Sequence, residues 1–291
     1  MMAVAGSPAG TAASAEIGTN GTAGAHRIAA AFAAAAGQGR AALVPYVVAG
    51  YPDADIGYRA ALAAVDAGAD ILELGLPYSD PLADGATLQR ASQVALRNGA
   101  TLEGSLRLIE RVASARPSIP VVPMGYANQF IGGGTGSESA GRLTSAGASG
   151  VIIADLTPDE GGPFEAVARD HDLAVVYLVA PTTPRDRRVE IATRSGGFLY
   201  CVSLVGVTGA RDLLDPSIGK LVRDVVAASP VPVAVGFGVS KPAHVRAIAK
   251  FGAAGVIVAS ALVDALGEEG RDVDGMGRLV ATLAAATARR A

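Results

Sequence analysis

The feature that most limits the fold is a regular alternation of short β-branched runs with helical stretches. Eight aliphatic runs predict buried strands: Leu43–Ala49, Ile71–Gly75, Pro120–Met124, Val151–Ala154, Ala174–Val179, Phe198–Val202, Val233–Gly236 and Val256–Val258. Between them lie amphipathic or alanine-rich segments, among them Tyr58–Ala67, Leu102–Ala115, Pro163–His171 and Pro242–Phe251. Continuously apolar strands that alternate with helices indicate a parallel sheet covered by helices. Eight such units predict a (β/α)8 barrel, and an open, doubly wound sheet is the alternative.

The N-terminal part has a different composition. Residues 1–25 are mostly Ala, Gly, Ser and Thr without periodicity, which predicts a disordered tail before a barrel domain at 26–291. Ile28 and Phe32 stand four apart in an alanine-rich stretch that Gly37 ends. This spacing predicts a short helix that covers one end of the barrel.

Charge and cysteine content exclude several classes of protein. The net charge of −3 gives no basic surface for nucleic acid or an anionic membrane. The single cysteine, Cys201, excludes an intramolecular disulfide, and its place inside a predicted strand favours a buried, inert thiol. No apolar run has the length of a membrane span, and no secretory signal precedes the first helix. A cytoplasmic protein is the expectation.

Three acids cluster after the second predicted strand, in the sequence LELGLPYSDPLADG at 72–85. Glu73 lies inside a buried aliphatic run, where an unpaired carboxylate is costly, and Asp80 and Asp84 lie on the following loop. Active sites of (β/α)8 barrels lie at the carboxyl ends of the strands. The three acids therefore indicate an active site, although a buried ion pair at Glu73 with turn or cap roles for the aspartates is the alternative.

Small residues follow the last three predicted strands, where this fold usually binds phosphate. They occur in the stretches 205–209 (VGVTG), 236–238 (GFG) and 259–260 (AS). Small residues let backbone N–H groups approach an anion, and these turns predict a phosphorylated substrate, although glycines also serve simply as tight turns. Aromatic and apolar side chains near the strand ends, at Tyr46, Met124, Tyr200 and Phe237, indicate an apolar end to that ligand.

Other chemistries lack their residues. The three histidines, His26, His171 and His244, fall outside the predicted strand ends, which disfavours a histidine metal site or a Ser-His-Asp triad, and we expect no metal. Neither a GxxxxGK[ST] loop nor a GxGxxG turn after the first strand is present. A nucleotide or dinucleotide bound in those modes is therefore not expected.

The motifs, taken together, resemble the tryptophan synthase alpha-subunit family, from about Arg27 to the C-terminus. LELGLPYSDPLADG is the longest and most specific of them, supported by VPYVVAGYPD, MGYAN, ADLTPDE, LVAPTTP, GVTGAR and GFGVSKPAHV. The resemblance implies a (β/α)8 barrel that cleaves indole-3-glycerol phosphate to indole and glyceraldehyde 3-phosphate. It further implies an αββα complex with a beta subunit, which alone carries pyridoxal phosphate, so no cofactor is expected in this chain.

Site residues follow from the same resemblance, position by position. Glu73 matches the catalytic glutamate and Asp84 the catalytic aspartate, whereas Asp80 matches a residue of the loop that faces the beta subunit. The phosphate-binding positions fall on Gly209, Gly238, Ala259 and Ser260. The substrate pocket falls on Tyr46, Met124, Ile152, Tyr200, Thr208 and Phe237, with Thr208 on a mobile loop that closes over the substrate.

The chain departs from the family pattern in four places. Ala259 replaces a common glycine in the last phosphate loop, Asn128-Gln129 replaces Asn-Pro, Thr157 replaces a common proline, and residues 131–136 (IGGGTG) are unusually rich in glycine. The last three lie on loops that adjoin the beta subunit in the family. Three alternatives therefore stay open beside the synthase subunit: a free-standing lyase that releases indole, a weakly active subunit that mainly activates a beta partner, and another phosphate-binding barrel such as a sugar-phosphate isomerase.

Overall fold

A computed structural model describes residues 21–132, 134–202, 216–236 and 238–289. Nine strands lie within these residues: β1 Ala42–Val48, β2 Leu72–Gly75, β3 Val121–Gly125, β4 Gly150–Ile153, β5 Ala174–Val176, β6 Leu178–Val179, β7 Leu199–Val202, β8 Val233–Gly236 and β9 Gly255–Val258. Twelve helices accompany them in the same residues: α1 Ala23–Gly37, α2 Ala54–Asp66, α3 Ala86–Arg97, α4 Leu102–Ala115, α5 Ala127–Phe130, α6 Ser137–Ser145, α7 Pro158–Asp170, α8 Arg185–Arg194, α9 Pro216–Ala228, α10 Pro242–Lys250, α11 Ser260–Ala265 and α12 Val273–Ala285.

The strands form one parallel sheet in the order β5-β4-β3-β2-β1-β9-β8-β7-β6. Its two outer members, β5 and β6, are halves of the single predicted strand Ala174–Val179, separated at Tyr177. The first half pairs with β4 and the second with β7. The Tyr177 carbonyl accepts a hydrogen bond from the Tyr200 N–H at 3.0 Å. One continuous run of chain thus joins both edges, so the (β/α)8 barrel prediction is confirmed and the open sheet is excluded.

Helix α1 closes the amino-terminal end of the barrel, as predicted. Ile28 and Phe32 are buried. The ring centroids of Phe32 and Phe198 lie 5.6 Å apart. Gly255 makes room for this plug, because a Cβ there would lie 2.6 Å from Phe32. Thr22 caps the helix by accepting the Ala25 N–H at 3.1 Å. Residues 23–25 of the predicted tail therefore belong to this helix, and residues 1–20 lie outside the described residues.

The helix boundaries follow their capping residues. Helix α4 has its predicted bounds because the Thr101 hydroxyl accepts the Gly104 N–H at 3.0 Å. Helix α7 begins at Pro158, five residues earlier than predicted. Pro158 occupies the first turn, where a missing N–H costs nothing, and Asp159 supplies a favourable acid there. Because every strand runs toward the same end of the barrel, the loops that follow them gather at one mouth.

Candidate active site

Glu73 lies in β2 with its side chain turned to the barrel interior. It is 1% exposed, and its residue pairs in register with Tyr46 of β1 and Val122 of β3. Among the described residues, neither oxygen of the Glu73 carboxyl has a hydrogen-bond partner. Burying a carboxyl without hydrogen-bond partners costs free energy of folding, and buried polar groups normally have such partners. Glu73 is therefore an unusual residue in an otherwise apolar strand. The ion pair considered from the sequence as the structural alternative is therefore not formed within the described residues.

The surroundings of Glu73 disfavour its ionised form. Burial, and secondarily the negative charge of Asp84, raise the pKa of Glu73 to about 8. The carboxyl therefore holds its proton at neutral pH. A group of this kind, at the open end of a barrel, is suited to donate and then recover a proton.

Asp84 lies on the loop between β2 and α3 and is partly buried. Its backbone is fixed by its own N–H, which donates to the Pro81 carbonyl at 3.0 Å. Its backbone carbonyl accepts a hydrogen bond from Nε2 of Gln89, in the first turns of α3, at 2.9 Å. Burial raises the pKa of Asp84 to about 6, so its carboxyl is mostly ionised at neutral pH. The two acids thus differ in charge over the range between their pKa values.

Two tyrosines stand beside the acids inside the barrel. Tyr46 and Tyr200 are 5% and 3% exposed, and burial raises the pKa of each well above its usual value, with further contributions from Glu73 and Asp84. Glycines at the strand ends make room for them. A Cβ at Gly75 would lie 1.7 Å from the Tyr46 hydroxyl oxygen, and one at Gly236 would lie 2.5 Å from that of Tyr200. Both phenols therefore keep their protons and line the mouth.

Four of the six predicted pocket residues fall in one cluster inside the barrel. Tyr46, Met124, Ile152 and Tyr200 belong to it, and Met124 pairs in register with Ile152. The other two, Thr208 and Phe237, lie outside the described residues, as does Gly209. Their places in the site stay predictions.

The predicted phosphate residues that the structure describes follow two neighbouring strands, β8 and β9. Gly238 follows β8 with φ +74°, a backbone conformation that favours glycine, and Ser260 is the first residue of α11, two residues after the end of β9. Ala259, between β9 and α11, has φ −123°, which is outside the left-handed region that favours glycine. Strands β8 and β9 pair with each other, and β1 separates β9 from β2. A ligand that reaches from Ser260 to Glu73 therefore crosses Tyr46.

Sequence reasoning missed two residues that hold the loop carrying Asp84. The hydroxyl oxygen of Tyr126 accepts the Ala83 N–H at 3.0 Å. The side-chain amide of Gln129 donates to the Pro77 carbonyl at 3.1 Å. In the sequence, Tyr126 lies in the MGYAN motif and Gln129 at the departure from Asn-Pro, both after β3. Neither pattern shows that the two side chains bind the loop that follows β2.

Other reactive groups in the described residues form no second site. Cys201 is buried as predicted, on the outer face of β7, and burial raises the pKa of its thiol to about 12. No group of three or more His, Cys, Asp or Glu residues in the described ranges could hold a metal ion. No helix in the part of the chain described here has both the length and the apolar character needed to cross a bilayer.

The profile of the tryptophan synthase alpha chain family matches residues 32–288. The chain belongs to this family. The alpha chain of Roseiflexus sp. is 46% identical over 240 residues, which cover 82% of this chain and 91% of the relative. The Arabidopsis thaliana alpha chain is 38% identical over 248 residues, covering 85% and 90%. Family membership makes the chain a carbon–carbon lyase of tryptophan biosynthesis, the subunit that cleaves indole-3-glycerol phosphate.

Solved structures of the family share the barrel. Tryptophan synthase from M. tuberculosis in its aminoacrylate-bound form aligns with a TM-score of 0.80 at 36% identity, covering 90% of this chain and 99% of that chain. A mutant alpha-subunit from Pyrococcus furiosus aligns with a TM-score of 0.77 at 35% identity, covering 84% and 98%. The family name also implies partnership with a beta subunit.

Proposed function

We propose that Glu73 is the acid and base of the cleavage reaction. The protonated carboxyl donates its proton to C3 of the indole ring, which leaves a positive charge on the ring nitrogen. The hydroxyl on the carbon attached to C3 then loses its proton to the Glu73 carboxylate. That carbon becomes the aldehyde of glyceraldehyde 3-phosphate, the bond to C3 breaks, and its electron pair restores neutral indole. Glu73 ends the cycle protonated, as it began.

The observation that supports this role is that the Glu73 carboxyl is buried and has no hydrogen-bond partner among the described residues. Its pKa of about 8 keeps the proton available at neutral pH while leaving the carboxylate a strong enough base to accept one back. Positioned acid–base groups typically accelerate a reaction about 10²–10⁴-fold. Glu73→Gln keeps the shape of the side chain and removes the proton transfer, so it is the direct test.

Asp84 is proposed to bind the indole nitrogen. Its carboxylate, mostly ionised because the pKa is about 6, accepts the ring N–H and stabilises the positive charge that develops on that nitrogen. The arrangement resembles other pairs of carboxyls whose surroundings separate their pKa values and thereby their roles. One group is an acid and the other an anion at the same pH.

The phosphate of the substrate is assigned to the loops after β8 and β9, and the indole ring to apolar side chains inside the barrel. Gly238, Ala259 and Ser260, with Gly209 of the preceding loop, are proposed to bind the phosphate through backbone N–H groups and the Ser260 hydroxyl. The indole ring is assigned to the apolar side chains Tyr46, Met124, Ile152, Tyr200 and Phe237, with Thr208 closing over it. The adjacency of β8 and β9 supports the phosphate assignment.

The partner is proposed to be a tryptophan synthase beta subunit in an αββα complex, with pyridoxal phosphate held by that subunit. Leu82, two residues before Asp84, is 92% exposed, an unusual state for a large apolar side chain. Asp80 beside it is also exposed. An exposed apolar side chain between Asp80 and Asp84 supports docking of the beta subunit on this loop. Because the loop carries Asp84, such docking would act directly on the active site.

The glycine-rich stretch 131–136 is the sequence feature that favoured a free-standing lyase, because flexible glycines are costly to order at an interface. Two of its glycines have packing reasons instead. A Cβ at Gly132 would lie 2.6 Å from the Asn128 carbonyl oxygen, and one at Gly136 would lie 2.7 Å from the Phe164 ring. The stretch therefore gives little support to the free-standing alternative. Steady-state indole release from the purified chain, titrated with a cognate beta subunit, tests the partnership.

A further inference from the structure

The loop 77–85, which joins β2 to α3 and carries Asp84, is held by residues that follow β3. Gln129 makes two hydrogen bonds with one side-chain amide. Its Oε1 accepts the Tyr126 N–H at 3.0 Å, and its Nε2 donates to the Pro77 carbonyl at 3.1 Å. The first bond fixes the start of α5, and the second fixes the first residue of the loop. These partners require one orientation of the amide, since an N–H needs an acceptor and a carbonyl a donor.

Tyr126 contacts the same loop near its start and near its end. Its ring stacks on Tyr78 with centroids 4.9 Å apart and planes 22° from parallel. Its hydroxyl oxygen accepts the Ala83 N–H at 3.0 Å, one residue before Asp84. Two residues three apart in sequence thus contact the loop at its first two residues, Pro77 and Tyr78, and again at Ala83 near its end. We call Tyr126 and Gln129 the loop clamp.

The clamp is itself fixed to the next strand. The Ala127 N–H, at the start of α5, donates to Oδ1 of Asp155, which follows β4, at 2.7 Å. Gly125 leaves space for the Gln129 amide, because a Cβ there would lie 2.6 Å from Oε1. A proline or an apolar side chain at 129 could supply neither hydrogen bond. The residue that departs from the Asn-Pro pattern is therefore the one that connects α5 to the loop.

We propose that Gln129 is a positioning residue for the cleavage reaction, which holds Asp84 at the barrel mouth through Pro77 and Tyr126. The proposal rests on the role proposed above for Asp84. Gln129 itself does not contact the substrate; it acts by keeping the loop against the β3 side of the mouth. Without the clamp the loop has backbone hydrogen bonds of its own and Gln89 to hold it, so Asp84 becomes looser and more exposed rather than lost.

The test compares two clamp variants with a matched control. Gln129→Met keeps the length of the side chain and removes both hydrogen bonds, and Tyr126→Phe keeps the ring stack and removes the bond to Ala83. Thr144→Val is the control, because it removes one side-chain-to-carbonyl bond, 2.9 Å to His171, at the opposite end of the barrel. Each clamp variant should lower kcat/KM for indole-3-glycerol phosphate about tenfold, whereas Thr144→Val should change it less than about twofold.

Two readouts separate positioning from a general loss of stability. A looser Asp84 carries its charge away from Glu73, so the basic limb of the kcat/KM pH profile should move to lower pH in Gln129→Met and stay in place in Thr144→Val. In an Asp84→Asn background, Gln129→Met should cost little further activity, because both changes act through the same carboxylate.

Each result decides the matter. Full additivity of Gln129→Met with Asp84→Asn, an unmoved basic limb, or kcat/KM equal to the parent would overturn the positioning role. A failure of the Asp84 assignment is recognised separately, because Asp84→Asn alone would then cleave at the parental rate.

Discussion

Replacing Glu73 with Gln should make the fold more stable at neutral pH while removing its chemistry. The pKa of the buried Glu73 carboxyl is raised from 4.5 to about 8. Between these two values the folded protein keeps a proton that the unfolded chain has lost. The free energy of unfolding of the parent therefore falls as pH rises through this window and levels off above about pH 8.

Glu73→Gln has no such titration, so its stability relative to the parent should grow with pH. One pH unit inside the window is worth about 1.4 kcal/mol at most, and the relative gain between about pH 5 and about pH 7 should be on the order of 2–3 kcal/mol. The free-energy cost of burying the uncharged Gln amide at position 73 does not change with pH. The pH dependence of the difference is for this reason more informative than its absolute value.

Urea unfolding at several pH values measures this difference. The chain has no tryptophan and seven tyrosines, so far-UV circular dichroism and tyrosine fluorescence are the two probes, and their transitions must coincide for a single free energy to be defined. Glu110→Gln, at an exposed position of α4, is the matched control for the loss of a carboxyl group. A difference between Glu73→Gln and the parent that stays constant from about pH 5 to about pH 9 would refute the reasoning, since the carboxyl would then be hydrated and ordinary.

Three further predictions concern the rest of the site. Asp84→Asn should lower cleavage less than Glu73→Gln does, and it should move the basic limb of the pH profile to lower pH, because the charge of Asp84 contributes to the raised pKa of Glu73. A basic limb that stays in place would mean that the two acids are not coupled. Inorganic phosphate should raise the melting temperature, and Gly238→Asp should abolish that protection, so equal protection of the variant would place the phosphate elsewhere. A cognate beta subunit should accelerate indole release about tenfold or more, and Leu82→Asp should remove the acceleration; acceleration equal to that of the parent would exclude Leu82 from the interface.

The barrel could be predicted because its signal is repeated. Each of the eight predicted runs became a strand or a pair of strands, since strands covered on both faces must be continuously apolar. The split at Tyr177 could not be read from Ala174–Val179, which is apolar throughout. It arises because the two halves have different partners, β4 and β7, and that is a property of closure rather than of local sequence.

The site could be predicted where the polarity of a residue differs from that of the segment around it. Glu73 conflicts with a buried strand, and such conflicts are expected at functional positions. Tyr126 and Gln129 agree with their surroundings, and their importance lies in hydrogen bonds to Ala83 and Pro77, on another loop 43 and 52 residues away in sequence. No local pattern encodes such a pairing. The predicted segment Pro163–His171 is wrong about the start of α7, because Pro158 occupies the first turn and Pro163 lies inside the helix.

The role of Glu73 as acid and base is tested most directly by the rate at which purified Glu73→Gln releases indole from indole-3-glycerol phosphate. The measurement is steady-state release compared with the parent, after circular dichroism has established that both are folded. A fall of at least about a hundredfold is expected, since general acid–base catalysis contributes about 10²–10⁴-fold. A folded Glu73→Gln protein that releases indole at close to the parental rate would contradict the account.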